Sequence, residues 1–314
     1  MKVLVTGGAG YVGSTLITEL LEEGHQVVSI DNLSRGDYRW LKEYREHDNL
    51  DLKVGDIRDL GTTLQGEYVE AVVHLAAIPG LERCQQDPEK AISTNVFGTY
   101  QVLQWARKNL GNRVVFTSSA AVYGVPDSTP ITEDQELKPT NLYGVTKLAG
   151  EKLAWTYHNG LNPVTLRFGN VYGVGVYTYW ETVIPKFVNQ AWNHQPLTVY
   201  GDGEQSRDFV HVKDIAEAVI STLKAEKDVV EGEAFNVGTG EPVSVNTIAH
   251  MVSQIFEQEH HREVEVSHLP PREGESHLPD FCLSPMKIKS KLKFKTRWKL
   301  REGIKQLIQY RTQH

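Results

Sequence analysis

The first half of the chain alternates between two apolar rhythms. Lys2 to Thr6 is a short, mostly apolar run halted by glycine, and Ser14 to Glu23 sets Leu16, Ile17, Leu20 and Leu21 on one helical stripe that Gly24 closes. Gln26 to Ile30 is the next apolar run and ends at Asp31, so a strand–helix–strand unit is complete within about 30 residues. Leu50 to Val54, Ala71 to Leu75, Arg113 to Thr117 and Val164 to Phe168 read as further strands. Pro88 to Leu110 predicts a long helix carrying Ile92, Val96, Tyr100, Leu103 and Trp105, and Asn141 to Tyr157 predicts another. Strands rich in β-branched residues that alternate with helices predict a parallel sheet covered on both faces.

After Gly173 the alternation weakens. Tyr177 to Glu181 is aromatic and irregular, Ile184 to Trp192 has a helical pattern, a Gly-Asp-Gly turn occupies 201–203, and Ala234 to Val237 is one more strand. Proline breaks fall at Pro242, Pro270-Pro271 and Pro279. The expected organisation is a larger α/β domain over 1–173 and a smaller lobe over 174–314, with segments of about 209–240 returning to the larger domain.

Composition narrows the class of partner. The 314 residues carry a net charge of −7 spread along the chain, which favours neither nucleic acid nor an anionic membrane. The locally basic run from Lys287 to Arg301 reads as a solvated face. The two cysteines, Cys84 and Cys282, lie outside any CxxC pattern, which argues against a disulfide scaffold or a zinc site and fits a cytoplasmic location. No apolar stretch has the length of a secretory signal core or a membrane span. His260-His261 and His268 lack companion ligand spacing, so no metal is expected.

The chemistry begins at Thr6-Gly7-Gly8-Ala9-Gly10-Tyr11-Val12-Gly13, which follows the first strand and opens the first helix. In that context a glycine-rich turn is a dinucleotide cradle. Gly7 permits the tight turn, Gly10 lets the backbone approach a pyrophosphate, and Gly13 lets the helix pack on the sheet. The N–H groups at the helix start, where Tyr11 and Val12 stand, face the anion. Asp31, 18 residues past Gly13, can accept hydrogen bonds from a ribose diol and would repel a 2′-phosphate. This favours NAD over NADP, although Arg35 lies close by in sequence. Asp56-Ile57 falls where the adenine ring is expected. The fold class implied is a doubly wound parallel sheet of the Rossmann type.

Tyr143 and Lys147 are four residues apart, hence on one helical face. A free tyrosine titrates near 10 and is a poor base at neutral pH. A nearby ammonium and an oxidised nicotinamide ring are expected to lower it, so that Tyr143 takes a hydroxyl proton while a hydride leaves the same carbon. Lys147 is also placed to hold the cofactor ribose. Ser119 follows the strand ending Thr117-Ser118-Ser119, where parallel strands converge on a ligand crevice, and its hydroxyl is suited to bond the reacting oxygen.

These motifs, with Asp31-Asn32, His74-Leu75-Ala76-Ala77, Asn95 to Thr99, Ser118 to Gly124, Leu166 to Gly173, Arg207 to Asp214, Phe235 to Gly238 and Pro271 to Glu275, make the chain resemble the extended short-chain dehydrogenase/reductase family, specifically its sugar-nucleotide epimerases and dehydratases. The resemblance implies that Asn32, Leu75, Ala76, Ala77 and Thr117 join the cofactor site and that Asn95 supports the catalytic helix. It implies that Asn170, Arg207 and Arg272 bind the diphosphate of a nucleotide sugar, since guanidinium forks match phosphate oxygens. It also implies a homodimer, with the helices after Pro88 and around Asn141 as candidate contacts.

Within the family, 4,6-dehydratases carry an Asp-Glu pair where this chain has Ala120-Ala121. Alanine moves no protons, so the pattern resembles the UDP-glucose 4-epimerase branch, with a UDP-hexose as substrate. A dehydratase or decarboxylase using a base elsewhere remains an alternative, as does a non-catalytic NAD-binding regulator. Cys84 is read as a small buried filler.

Overall fold

The computed structural model describes residues 1–271 and 280–313. Its strands are β1 (Lys2–Thr6), β2 (Gln26–Asp31), β3 (Leu50–Val54), β4 (Val69–His74), β5 (Leu110–Ser119), β6 (Pro163–Phe168), β7 (Asn170–Tyr172), β8 (Leu197–Tyr200), β9 (Ser206–His211), β10 (Ala234–Val237), β11 (Pro242–Ser244) and β12 (Val266–Leu269). Seven of them form one sheet in the order β10-β6-β5-β4-β1-β2-β3, and every neighbouring pair in it is parallel. The order runs outward in both directions from β1 and β4. That reversal leaves a crevice beyond their C-terminal ends, where ligands bind in open α/β sheets.

Side-chain alternation explains why these strands are apolar throughout. Val3 and Val5 of β1 face the helices Tyr11–Glu22 and Val212–Lys224, against Leu16, Ile17, Ala216 and Val219. Leu4 faces the opposite layer, where Val102, Leu103 and Ala106 of the helix Thr99–Asn109 and Ala154 of the helix Leu142–Thr156 complete the packing. A strand covered on both faces has no polar side to show, so its pattern is continuous rather than alternating. β10 lies beside β6 and the helix Val212–Lys224 packs on the first helix, so part of the chain beyond residue 200 is built into this sheet.

A second core gathers Ile184, Phe187, Leu197, Val199, Ile248, Val252, Ile304 and Leu307. Two small sheets accompany it, ordered β11-β9-β7 and β12-β8.

The helix expected over Pro88–Leu110 differs in detail. It runs as an α-helix over Pro88–Ile92, a π-helical turn over Ser93–Gly98 and an α-helix over Thr99–Asn109, and β5 begins at Leu110. The Thr99 hydroxyl donates to the Asn95 carbonyl at 2.6 Å, and such back-bonding competes with the regular helical ladder.

Candidate active site

A cavity of about 620 Å³ opens at the C-terminal ends of β1, β4, β5 and β6. Its wall brings together Gly7, Gly10, Tyr11, Val12, Asp31, Asn32, Ile57, Leu75, Ala76, Ala77, Thr117, Ser119, Tyr143, Lys147 and Asn170. Residues from both halves of the sequence therefore converge on one space of the size that small-molecule sites occupy.

The cradle fits a dinucleotide. Gly7 sits at φ +76°, and a Cβ there would stand 2.7 Å from the Ala76 nitrogen. A Cβ on Gly13 would fall 2.2 Å from the Gly7 carbonyl oxygen, so the helix is seated on the turn itself. Gly10 caps the helix and meets only the Gly7 carbonyl, at 3.2 Å, leaving the space beyond it open to an incoming anion. The Asp31 carboxylate is held by the N–H groups of Ala9 (3.1 Å) and Leu33 (2.8 Å) and stands in the cavity wall. Burial raises its pKa, and the two N–H groups oppose that rise.

Asp56 is differently placed. Its oxygens accept from the Arg58 guanidinium at 2.8 Å and from Asn32 Nδ2 at 2.9 Å, bonds that hold it well below the usual carboxylate range. Its neighbours Gly55 and Ile57 line the cavity, and its carboxylate also accepts from the Arg58 N–H at 2.9 Å, which shapes the turn.

The helix Leu142–Thr156 carries the Tyr143–Lys147 pair, capped by Asn141, whose Oδ1 accepts from the Gly144 N–H at 2.9 Å. Lys147 Nζ donates to the Thr117 carbonyl at 2.8 Å. Burial lowers the lysine to about 8. Burial also pushes the Tyr143 phenol up to about 12, against the pull of the Ser119 hydroxyl within hydrogen-bonding reach. This differs from the expected depression of the phenol. In the protein alone, removal from water outweighs the nearby ammonium, which is engaged with the strand end instead.

Beneath these groups lies a buried chain whose hydrogens can be placed by counting donors. The Thr99 hydroxyl has one hydrogen and gives it to the Asn95 carbonyl, so at 2.9 Å it must accept from His74 Nε2. His74 is then the Nε2–H tautomer, and its Nδ1 accepts from the Thr6 hydroxyl at 2.7 Å. Thr6 Oγ1 in turn accepts from the Ala76 N–H at 3.2 Å. Burial drives the His74 pKa down to about 3, consistent with a neutral ring. The Asn95 amide donates to the Ile78 carbonyl and to Thr146 Oγ1, both at 3.0 Å, and its Oδ1 accepts from the Ile78 N–H at 2.7 Å. Asn95 thus joins the Ala76–Ile78 wall to the catalytic helix without itself lining the cavity. Sequence reasoning assigned no role to His74, Thr6, Thr99 or Thr146; for Thr6 and His74 the available signal is a polar residue at the end of an otherwise apolar strand, and the helical Thr99 and Thr146 carry none.

Arg207 lies on β9, donates to the Ser206 carbonyl at 2.6 Å and is not among the cavity-lining residues, whereas Phe209 of the same strand is. Arg272 lies outside the described residues. Cys84 is fully buried, with its thiol 3.4 Å from the Ile78 carbonyl, and fills space behind the wall. Among the described residues no helix is long and apolar enough to cross a membrane.

Comparison with known proteins follows the same lines. Residues 3–238 match the model of the NAD dependent epimerase/dehydratase family. A UDP-glucose 4-epimerase of Mycolicibacterium smegmatis is 33% identical over 320 residues, covering 99% of this chain and 98% of the relative. A UDP-N-acetyl-alpha-D-glucosaminuronate decarboxylase of Bacillus cytotoxicus is 31% identical over 335 residues, covering 98% and 97%. The crystal structure of UDP-glucuronic acid 4-epimerase from Bacillus cereus, in complex with UDP-glucuronic acid and NAD, superposes with a TM-score of 0.88 at 29% identity over 100% of this chain and 99% of that one.

Proposed function

The chain belongs to the NAD-dependent epimerase/dehydratase family, and we propose that within it this protein is a 4-epimerase of a nucleotide-diphospho-hexose, a UDP-hexose, with NAD as its cofactor. The observation that carries the reading is the convergence of Ser119, Tyr143 and Lys147 in one cavity with the dinucleotide cradle, while Ala120 and Ala121 stand outside that cavity's wall. An epimerase needs one base and a hydride acceptor; it needs no second acid–base pair beside the base.

NAD, held by the cradle at residues 7–13 and by Asp31, would supply a reversible hydride acceptor at the sugar C4. Tyr143 accepts the proton of the 4-hydroxyl as that hydride leaves, and Ser119 bonds the same oxygen. The 4-keto sugar then turns over within the cavity. Tyr143 gives the proton back to the oxygen when the hydride arrives on the opposite face, so atoms and charge balance over the cycle. Lys147 holds the ribose and adds positive charge near the phenolate. Asn170, in the cavity wall, takes the diphosphate, and Arg207 and Arg272 are the further candidates that the family resemblance names for it. A cytoplasmic location and a homodimer accompany this reading; the homodimer is supported by exposed Ile92, Phe97 and Tyr100 on one helical run and Val145 on the helix Leu142–Thr156.

A lyase is the second reading, favoured by the carboxylates Glu82 and Glu181 in the cavity wall. Incubation with UDP-glucose, UDP-N-acetylglucosamine and UDP-glucuronate, without added cofactor, separates the two by proton NMR. A 4-epimer of unchanged mass supports the epimerase. Loss of water or carbon dioxide establishes the lyase in its place. Tyr143→Phe should lower turnover by about 10²–10⁴-fold in either case, and an unchanged rate would remove Tyr143 from its role.

A further inference from the structure

Residues 173–181 leave β7 without regular structure and contribute Tyr177, Tyr179 and Glu181 to the cavity wall. They meet three separate parts of the nucleotide-binding half. At the first, Tyr11 Oη donates to the Gly173 carbonyl at 2.6 Å, and a Cβ on Gly175 would stand 2.5 Å from Thr15 Oγ1, so the backbone lies directly on the first helix. At the second, the Tyr177 ring stacks on Trp40 at 4.9 Å between centroids with an interplanar angle of 12°, and the Arg35 guanidinium lies 5.2 Å from the Tyr179 ring. At the third, Arg83 Nη2 donates to Tyr179 Oη at 3.0 Å, and Glu181 closes an ion pair with the same guanidinium. Trp180 points the other way, stacked on Tyr310 of the second core's helix Leu300–Gln313. The segment is therefore anchored to the small lobe on one side and clipped over the dinucleotide groove on the other, with Tyr177 and Tyr179 in the cavity wall.

We infer that this segment is a strap that retains the cofactor from one turnover to the next, with Tyr177 and Tyr179 as the retaining residues. The inference rests on reading the cavity as an NAD site. Its logic is kinetic. Where the hydride returns to the substrate, the cofactor ends each cycle as it began and has no need to leave. A groove closed at three points keeps the half-reacted pair together, whereas an enzyme that exports reduced cofactor at every turnover gains nothing from such closure. The strap must lift for loading, and its contacts are of a kind that can part: one ring stack, one cation over a ring and one partly exposed ion pair.

The test measures release of NAD from the loaded full-length protein, trapped by a coupled enzyme that reduces free NAD only. Tyr177→Ala removes one face of the stack. Trp40→Ala removes the other from the nucleotide side, at a residue 41% exposed, so a folded variant is available if the first is damaged. Each should release NAD about tenfold faster, and the double variant no faster than either single one, because both delete one contact. Release as slow as wild type in both single variants overturns the strap, as does wild-type release faster than turnover. Failure of the wild type to bind NAD at all would instead sink the cofactor assignment, which separates the two claims.

Discussion

Lys147 Nζ donates to the main-chain carbonyl of Thr117 across the gap between the catalytic helix and the end of β5, at 2.8 Å. The ammonium is thereby fixed at the strand end, and the phenol one helical turn earlier is left near 12 by burial. At neutral pH the protein alone holds Tyr143 protonated. The positive ring of oxidised NAD is then the charge that must tip it. Ultraviolet difference titration of wild type against Tyr143→Phe should place the phenol near 12 without NAD and lower with it. A titration that NAD leaves in place would disprove activation by the cofactor. The lowered lysine has its own sign. The folded state binds fewer protons than the unfolded one between about 8 and 10.5, so this group favours folding more as pH rises through that window.

His74 predicts an acid weakness. Its folded pKa is about 3 against 6.5 when unfolded, so its contribution is complete above 6.5 and is lost as pH falls between those values. His74→Gln should cost about 1–3 kcal/mol at pH 7 through unpaired Thr6 or Thr99 hydroxyls. Below pH 5 the gap between variant and wild type should narrow, because the wild type alone carries the proton penalty. Urea melts at the two pH values check this, and a gap that stays constant would mean the ring is not held neutral.

The Arg167–Glu151 pair predicts coupling between β6 and the catalytic helix. Both side chains are nearly buried, and the carboxylate takes Nε at 3.0 Å and Nη2 at 2.8 Å. Removing one partner strands a buried charge, so Glu151→Ala should cost about 3–5 kcal/mol, while the double change to Arg167→Met and Glu151→Met should recover much of it. Thermal or urea unfolding of Glu151→Met, Arg167→Met and the double change gives the cycle. Additive losses would deny that the pair acts as a unit.

The exposed apolar residues on the two outer helices predict an oligomer. Phe97 and Val145 are each 48% exposed, and Phe97 lies 6.1 Å from the Tyr100 ring. Replacing Phe97 and Val145 by Glu should convert a sedimenting dimer to monomer without loss of helix content. A wild type that sediments as a monomer would remove the homodimer from the proposal.

Much of this arrangement was visible before any coordinates. The strands that are covered on both faces announce themselves as unbroken apolar runs, and Tyr143 with Lys147, or Gly7 with Gly10 and Gly13, are local spacings that a helix or turn converts directly into geometry. Contacts between distant residues left no such trace. His74 meets Thr99, 25 positions away, and Arg83 meets Glu181, 98 positions away. Ser206–His211 does not read as a strand, because its first three residues are polar and its pairing comes from the small sheet β11-β9-β7. Asp56 shows a further limit. Its carboxylate is bonded to Arg58, two residues away, and to Asn32, 24 positions away, contacts that sequence spacing alone does not reveal.

The π-helical turn at Ser93–Gly98 acts as a phase joint. It separates Pro88–Ile92 from Thr99–Asn109, and Asn95 inside the joint reaches both Ile78 and Thr146. Excising one residue there would let an ordinary helix close, and everything on one side would swing by about 100°. The loops of this fold can gain or lose residues through drift, but in this stretch chain length itself is under constraint. A deletion would cost the Asn95 tether and would also displace Thr94, a residue of the cavity wall within the same turn.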